Sequence, residues 1–296
     1  MEIIKLENYK ENRFNTAIAL GNFDGVHMGH QSLINSILET AKAKDLKIGI
    51  LLFENHTKKL IDGEGPKLLT SRDQKLKVFS ELGIEVVYSA RFDKEIMTLT
   101  PEEFVKNILV DQLNVKLVTV GFDYRFGHKA SGNIDTLKSL AEKYNFRVNV
   151  VEAQNKNETI ISSTKIRDFL SQGKLPEAKN MLGRNYIITG HVVHGKSLGR
   201  KLGFPTANIE LSENFLIPKS GVYITNTIVD NQTFKSVTSI GKNPTFDEDE
   251  LKIETHIINF NREIYNQSIE VEFIEYIRDE MKFNSLEELK FQIEKD

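Results

Sequence analysis

The rhythm of hydrophobic and polar positions changes once along the chain. Up to residue 183, short apolar runs alternate with amphipathic stretches. The runs Ala17–Leu20, Ile48–Phe53, Val86–Ser89, Leu117–Gly121 and Phe146–Val151 predict strands. His30–Lys44 places Leu33, Ile34, Ile37, Leu38 and Ala41 on one face, with charge opposite, which predicts a helix. Thr100-Pro101-Glu102-Glu103 supplies a cap, a first-turn proline and first-turn acids for a helix through Leu113. Strand then helix, repeated, implies right-handed crossovers and a parallel sheet.

After Leu182-Gly183 the runs are rich in β-branched and aromatic residues: Ile187–His194, Val222–Val229, Phe234–Ile240, Ile253–Phe260 and Ile269–Tyr276. Turn residues such as Asp230-Asn231 and Asn261-Arg262 separate them. A late helix, Ser285–Glu294, opens with a capping box at Ser285 and Glu288. The pattern predicts two domains. Residues 1–183 form an α/β domain on a parallel sheet. Residues 184–296 form a small antiparallel β-barrel with a terminal helix, expected to fold unaided.

Composition narrows the function classes. The 296 residues are 40% hydrophobic and 27% charged, as in a globular protein. The net charge of −3 argues against a nucleic-acid partner held by bulk positive charge. No cysteine is present, so disulfides, thiolate catalysis and Cys-based zinc sites are excluded. The longest apolar stretch, IGILLF at Ile48–Phe53, is too short to span a bilayer, and the first residues lack the form of a secretory signal. A cytoplasmic protein with no membrane partner is expected. The sequence leaves the oligomeric state open.

The segment Leu20-Gly21-Asn22-Phe23-Asp24-Gly25-Val26-His27-Met28-Gly29-His30 follows the first strand and opens the first helix. Ligands of parallel sheets bind at the carboxyl ends of the strands. Free amides and the helix dipole favour a phosphate there, and His27 and His30 can stabilise charge on it. Gly25 and Gly29 permit close approach of the backbone. Taken alone, the two histidines equally suit side chains bonding carbonyls at a helix start.

GNFDGVHMGH resembles the HxGH signature of the nucleotidyltransferase superfamily, in the form used by bacterial FAD synthetases. Gly121-Phe122-Asp123-Tyr124-Arg125-Phe126-Gly127 resembles that family's G-x-D-F-R-F-G motif, and Ile161-Ser162-Ser163-Thr164-Lys165-Ile166-Arg167 its I-S-S-T-x-I-R motif. The resemblance implies a Rossmann-like domain. It implies ATP and phosphate contacts from Gly21, Asn22, Phe23, Asp24, Gly29, Ser162, Ser163, Thr164 and Arg167. It implies flavin or nucleotide contacts from Asp123 and Arg125. Ser162-Ser163-Thr164 precedes a helix, so hydroxyls and amides can meet phosphate oxygens, and Arg167 can fork onto phosphates. Standing alone, the same run reads as a cap followed by a surface arginine. One departure stands out: the family's Phe-x-Pro-His-Pro reads Phe53-Glu54-Asn55-His56-Thr57 here, without either proline.

Gly190-His-Val-Val-His-Gly195-Lys196-Ser197 satisfies the P-loop pattern letter for letter. A P-loop needs a helix immediately afterwards, and Leu198-Gly-Arg-Lys-Leu-Gly-Phe-Pro205 does not supply one. The same stretch, read as Gly190-x-Val192-x-x-Gly195 with Gly199-Arg200, Gly203 and Pro205-Thr206-Ala207-Asn208, resembles the riboflavin kinase signature. Gly221-Val222-Tyr223, Ile240–Phe246, Glu254-Thr255-His256 and Ile277–Phe283 agree with that family. The resemblance implies Mg²⁺ on Thr206 and Asn208, whose alternate positions in an extended segment share a side. It implies an ATP loop from Gly195, Gly199, Arg200 and Gly203, and Glu254 as general base. Without the motif, Glu254 reads as an exposed strand glutamate, and Thr206 and Asn208 as turn chemistry after Pro205. Asn259 and Asn266 stand where aspartate and glycine are usual. Asparagine tolerates left-handed backbone, so the turns are expected to survive.

The whole chain therefore resembles the bacterial bifunctional riboflavin kinase/FAD synthetase family. That implies conversion of riboflavin and ATP to FMN, then of FMN and ATP to FAD, with Mg²⁺ at both steps. Two alternatives remain open at this point: one active module only, or a flavin-binding regulator.

Overall fold

The computed structural model describes residues 1–8, 14–42, 45–54, 65–156, 159–195, 203–242, 251–283 and 285–295. Six strands make a parallel sheet: β1 (Glu2–Lys5), β2 (Thr16–Leu20), β3 (Lys47–Phe53), β4 (Val86–Ala90), β5 (Val115–Gly121) and β6 (Arg147–Val151). Their order is β1-β4-β3-β2-β5-β6. The order reverses at β2 and β5, so the two strands that precede candidate motifs lie side by side. Five of the six were predicted. β1 was missed because Ile3 and Ile4, bounded by Glu2 and Lys5, are too short an apolar run to signal a strand.

Side chains alternate across β2 and create two cores. Ala17 and Ala19 face one side, where α1 (Met28–Lys42) buries Leu33, Ile34, Ile37 and Ala41 and α2 (Arg72–Glu81) buries Phe79. Ile18 and Leu20 face the other. After the short α3 (Lys94–Thr98), the α4 helix covers that side with Phe104, Val105 and Leu109. It starts as Pro101–Glu103 and runs on in π-helical form through Phe104–Gln112. The predicted capping box closes its start: the Glu103 amide donates to Thr100 Oγ1 at 3.2 Å, and Thr100 N donates back to the Glu103 carboxylate at 2.8 Å. α5 (Ile134–Tyr144) adds Leu137, Leu140 and Ala141. β7 (Asn155–Lys156) and β8 (Thr159–Ile160) pair antiparallel after β6.

A closed antiparallel barrel follows, in the order β10-β13-β12-β11-β14-β9. Its strands are β9 (Tyr186–Val193), β10 (Ala207–Leu211), β11 (Gly221–Val229), β12 (Gln232–Lys242), β13 (Leu251–Ile257) and β14 (Ser268–Arg278). Asp230 and Asn231, both with positive φ, join β11 to β12 as a two-residue hairpin. The interior holds a chain of buried hydroxyls. Thr225 bonds Ser236 and Thr238, and Thr238 bonds Thr255, each at 2.8 Å, so these groups satisfy one another away from water. The terminal helix α8 (Leu286–Lys295) is capped as expected, with the Glu288 amide on Ser285 Oγ at 3.1 Å.

The chain divides into two compact units: Met1–Pro66 with Arg72–Ser162, and Lys67–Ser71 with Ser163–Asp296. The second unit thus holds more than the barrel. It includes α6 (Ser163–Ser171) and α7 (Leu175–Leu182), the latter packed on β14 and β9. It also includes a strap from much earlier in the chain. Leu68 pairs with Phe215, its N–H donating to Asn214 O and its carbonyl accepting from Leu216 N, both at 2.8 Å. The Tyr186 hydroxyl donates to Leu216 O at 2.7 Å.

These additions carry a stability prediction. α6 and α7 bury Ile166, Leu170, Leu175, Ala178, Met181 and Leu182. Full burial of a large aliphatic side chain contributes roughly 1.5–3 kcal/mol, against a net domain stability of about 5–15 kcal/mol. A fragment starting at Ser163 is therefore expected to melt at least ~10 °C above one starting at Arg184, since ~1 kcal/mol shifts a small domain by about 4–8 °C. Thermal melts of the two fragments by circular dichroism measure it; equal midpoints would mean the helices add nothing.

Candidate functional site

The first constellation lies where β2 ends and α1 begins. The connecting loop is strained: Phe23, Val26 and Gly25 have φ of 48°, 37° and 82°. A bulky and a β-branched residue in left-handed backbone cost energy that surrounding packing must offset, and such strain concentrates at functional sites. Phe23 and Val26 are fully buried in the core, which holds the loop in this shape.

That shape stacks the His27 and His30 rings, with centroids 3.7 Å apart and planes 14° from parallel. The Phe23 ring tilts against His30 at 5.2 Å. The His30 amide donates to His27 Nδ1 at 3.3 Å, so the His27 side chain caps the helix. An Nδ1 that accepts leaves the ring proton on Nε2, and His27 therefore offers a donor from its other edge. A Cβ at Gly29 would come within 3.2 Å of His27 Nδ1, so the glycine leaves room for the stacked pair. Asp24 is almost wholly buried in the same loop, flanked by Gly21, Asn22 and Phe23.

Asp123 and Arg125 are exposed just beyond the carboxyl end of the neighbouring β5. Tyr124 between them stacks on Phe126, and burial pushes its phenol up. The Ser162–Arg167 run crosses the division between the units. Ser162 belongs to the first, and Ser163, Thr164 and Arg167 to the second. Arg167 Nε donates to the Lys67 carbonyl at 2.9 Å, which fixes the guanidinium to the strap. His56, with Asn55 and Thr57, lies outside the described residues.

The second constellation is built by strand register. β10 pairs with β13, placing Asn208 directly opposite Glu254 and Ala207 opposite Thr255. Thr255 points into the barrel and is fully buried, so Glu254 points outward, as does Asn208 across from it. Thr206, two residues before Asn208, lies on the same side, and its Oγ1 is 3.4 Å from Glu254 Oε2. Three oxygen-bearing side chains thus meet on one outer face. A hydroxyl, an amide and a carboxylate together suit a hard divalent cation rather than a soft one. Gly195, after β9, leaves no space for a side chain: a Cβ there would fall on the Asn208 amide. Gly203 has a φ of 88°. Gly199 and Arg200 lie outside the described residues, as do Lys196, Ser197 and residues 243–250.

Two family models match this chain, FAD synthetase over residues 9–165 and riboflavin kinase over residues 182–296. A protein of Listeria monocytogenes named bifunctional riboflavin kinase/FMN adenylyltransferase is 40% identical over 285 residues, covering 95% of this chain and 90% of its own. One of the same name from Escherichia coli K12 is 34% identical, covering 94% and 90%. The chain belongs to the bacterial riboflavin kinase/FMN adenylyltransferase family. A solved structure from Streptococcus pneumoniae, described as a macrolide-efflux protein, covers 100% of this chain and 97% of its own at 30% identity, with a TM-score of 0.90. No helix among the described residues is long and apolar enough to cross a membrane.

Membership in the riboflavin kinase/FMN adenylyltransferase family agrees with the geometry where the P-loop pattern does not. Gly190–Val193 belong to β9, paired with β10 on one side and β14 on the other. They are ladder residues, not a phosphate loop. Asn259 and Asn266 have φ of 56° and 61°, the left-handed backbone for which asparagine is suited.

Gly195 yields a further prediction. Moving the Asn208 side chain aside for a new methyl group is cheap for the fold, because the amide is the end of a rotatable side chain. It is costly for any role of that amide. Gly195→Ala is expected to lower riboflavin phosphorylation about tenfold, ~1.4 kcal/mol, with an unchanged melting temperature. A variant with a normal rate would show that the Asn208 orientation is immaterial.

Proposed function

We propose that this chain catalyses both steps from riboflavin to FAD. The catalytic division falls at residues 183/184, close to where the riboflavin kinase match begins. The single observation that carries the kinase assignment is the register of β10 on β13, which brings Thr206, Asn208 and Glu254 to one face.

In the kinase step Glu254 takes the proton of the riboflavin 5′-hydroxyl. The freed oxygen attacks the γ-phosphorus of ATP, the bond from that phosphorus to the β-bridging oxygen breaks, and FMN and ADP result. Thr206 Oγ1 and the Asn208 amide oxygen would hold Mg²⁺, with Glu254 beside them. When bound, Mg²⁺ neutralises charge on the phosphate oxygens. The family resemblance assigns the ATP phosphates to Gly195, Gly199, Arg200 and Gly203.

In the adenylyl step a phosphate oxygen of FMN attacks the α-phosphorus of a second ATP, and pyrophosphate leaves. His27 Nε2–H and the His30 ring stabilise charge on the α-phosphate. The amides at the start of α1 assist them. Ser162, Ser163, Thr164 and Arg167 bind the remaining phosphates, while Asp123 and Arg125 contact the flavin or nucleotide. Bound Mg²⁺ would neutralise phosphate charge in this step too. Both reactions consume ATP, which suits a cytoplasmic setting.

The test is direct. Pure protein is incubated with ATP, Mg²⁺ and either riboflavin or FMN, and the flavins are resolved by chromatography. FMN and FAD from riboflavin, and FAD from FMN, are the expected products. FMN alone would leave only the kinase module active, and unchanged flavins would indicate a binding protein.

A further inference from the structure

β10 begins its ladder at Ala207, yet the segment before it is not loose. Continuing the antiparallel register would put Thr206 opposite His256 and Pro205 opposite Ile257. Proline has no N–H, so the ladder cannot continue through Pro205. His256 replaces it. Its Nδ1 lies 2.8 Å from the Pro205 carbonyl oxygen. A carbonyl only accepts, so Nδ1 carries the proton. The same ring meets Phe204 edge-on, at 5.6 Å and 79°. His256 is two residues from Glu254 and shares its outward face, on either side of the buried Thr255.

We propose that His256 is a positioning residue for riboflavin phosphorylation. It clamps Phe204-Pro205 to β13 and so sets Thr206 and Asn208 at their distance from Glu254. This rests on the reading of those three residues as the kinase site. The clamp acts on backbone, one residue ahead of the first cation-binding side chain. Its loss should therefore loosen the cation side of the site and leave the flavin side alone. The bond and the ring packing are separable by substitution. His256→Phe keeps a ring against Phe204 but cannot donate. His256→Asn loses the ring but places an amide N–H where Nδ1–H stood.

The experiment uses the full chain and the series His256→Ala, His256→Phe and His256→Asn, with Glu254→Gln as reference. The first readout is the Mg²⁺ concentration for half-maximal FMN formation, alongside KM for riboflavin. His256→Ala and His256→Phe are expected to raise the Mg²⁺ requirement about tenfold with KM for riboflavin within about twofold, and His256→Asn to restore the native value. The second readout needs no turnover. Amide hydrogen exchange over residues 203–211, without ligands, is expected to quicken in the Ala and Phe variants and not in Asn. His256→Phe matching the native protein in either readout would overturn the proposal. So would His256→Asn as impaired as His256→Ala, or a riboflavin KM that rises as far as the Mg²⁺ requirement. A fully active Glu254→Gln enzyme would instead remove the reading of the site on which the proposal stands.

Discussion

Glu254→Gln is expected to lower FMN formation by on the order of 10²-fold or more, while FAD formation from supplied FMN stays at its native rate. The substitution keeps the size of the side chain and an oxygen able to accept from Thr206, 3.4 Å away in the native protein. What it removes is the capacity to hold a proton. Glu254 lies outside the barrel core, directly across from Asn208, so neither packing nor ladder should change. Asn208→Ala should be similarly severe through loss of the cation, and Ser197→Ala mild. Steady-state rates at saturating Mg²⁺, with circular dichroism as the folding control, decide among them. A severe Ser197→Ala defect beside a healthy Asn208→Ala enzyme would revive the P-loop.

His30→Ala should do the converse. FAD formation is expected to fall by on the order of 10²–10³, the typical cost of losing one preorganised charge-stabilising group, with FMN formation near normal. The His30 ring is held between His27 at 3.7 Å and Phe23 at 5.2 Å, so its position is fixed before substrate arrives. The His30 amide, which donates to His27 Nδ1, survives the substitution, and with it the helix cap. The kinase constellation lies wholly in the other unit. Loss of FMN formation in a folded variant would show that the two sites are wrongly apportioned.

Elements that bury one regular face were legible in the sequence, because their side-chain period is set by the backbone. The β2 run, the α1 face and five barrel strands follow that logic. β10 did not announce itself as a strand: Ala207–Leu211 alternates apolar and polar residues, but it is only five residues long and directly follows Pro205-Thr206, which read as a turn. Even so, Thr206 and Asn208 could be placed on one side, because any extended segment alternates. The partnership of Asn208 with Glu254 was not legible, since register between distant strands depends on the closure of the whole barrel. The His256 clamp escaped for the same reason: its partner is a backbone carbonyl 51 positions away. The stacked histidines were visible only as a spacing. Their contact depends on left-handed Phe23 and Val26, conformations that no propensity would assign to those residues.

The Leu68 strap sets an order of events during synthesis. The Lys67 side chain bonds Asn214, 147 positions later in the chain, so the strap leaves the ribosome well before its partner is made. At about 5–20 residues per second, that interval is roughly 7–30 seconds. During it the parallel sheet can form from strands already translated, while residues 67–71 wait with their backbone groups in water. Docking closes a long loop and comes after the local contacts have formed. The nascent chain thus completes its second unit by recruiting a segment laid down during the making of the first.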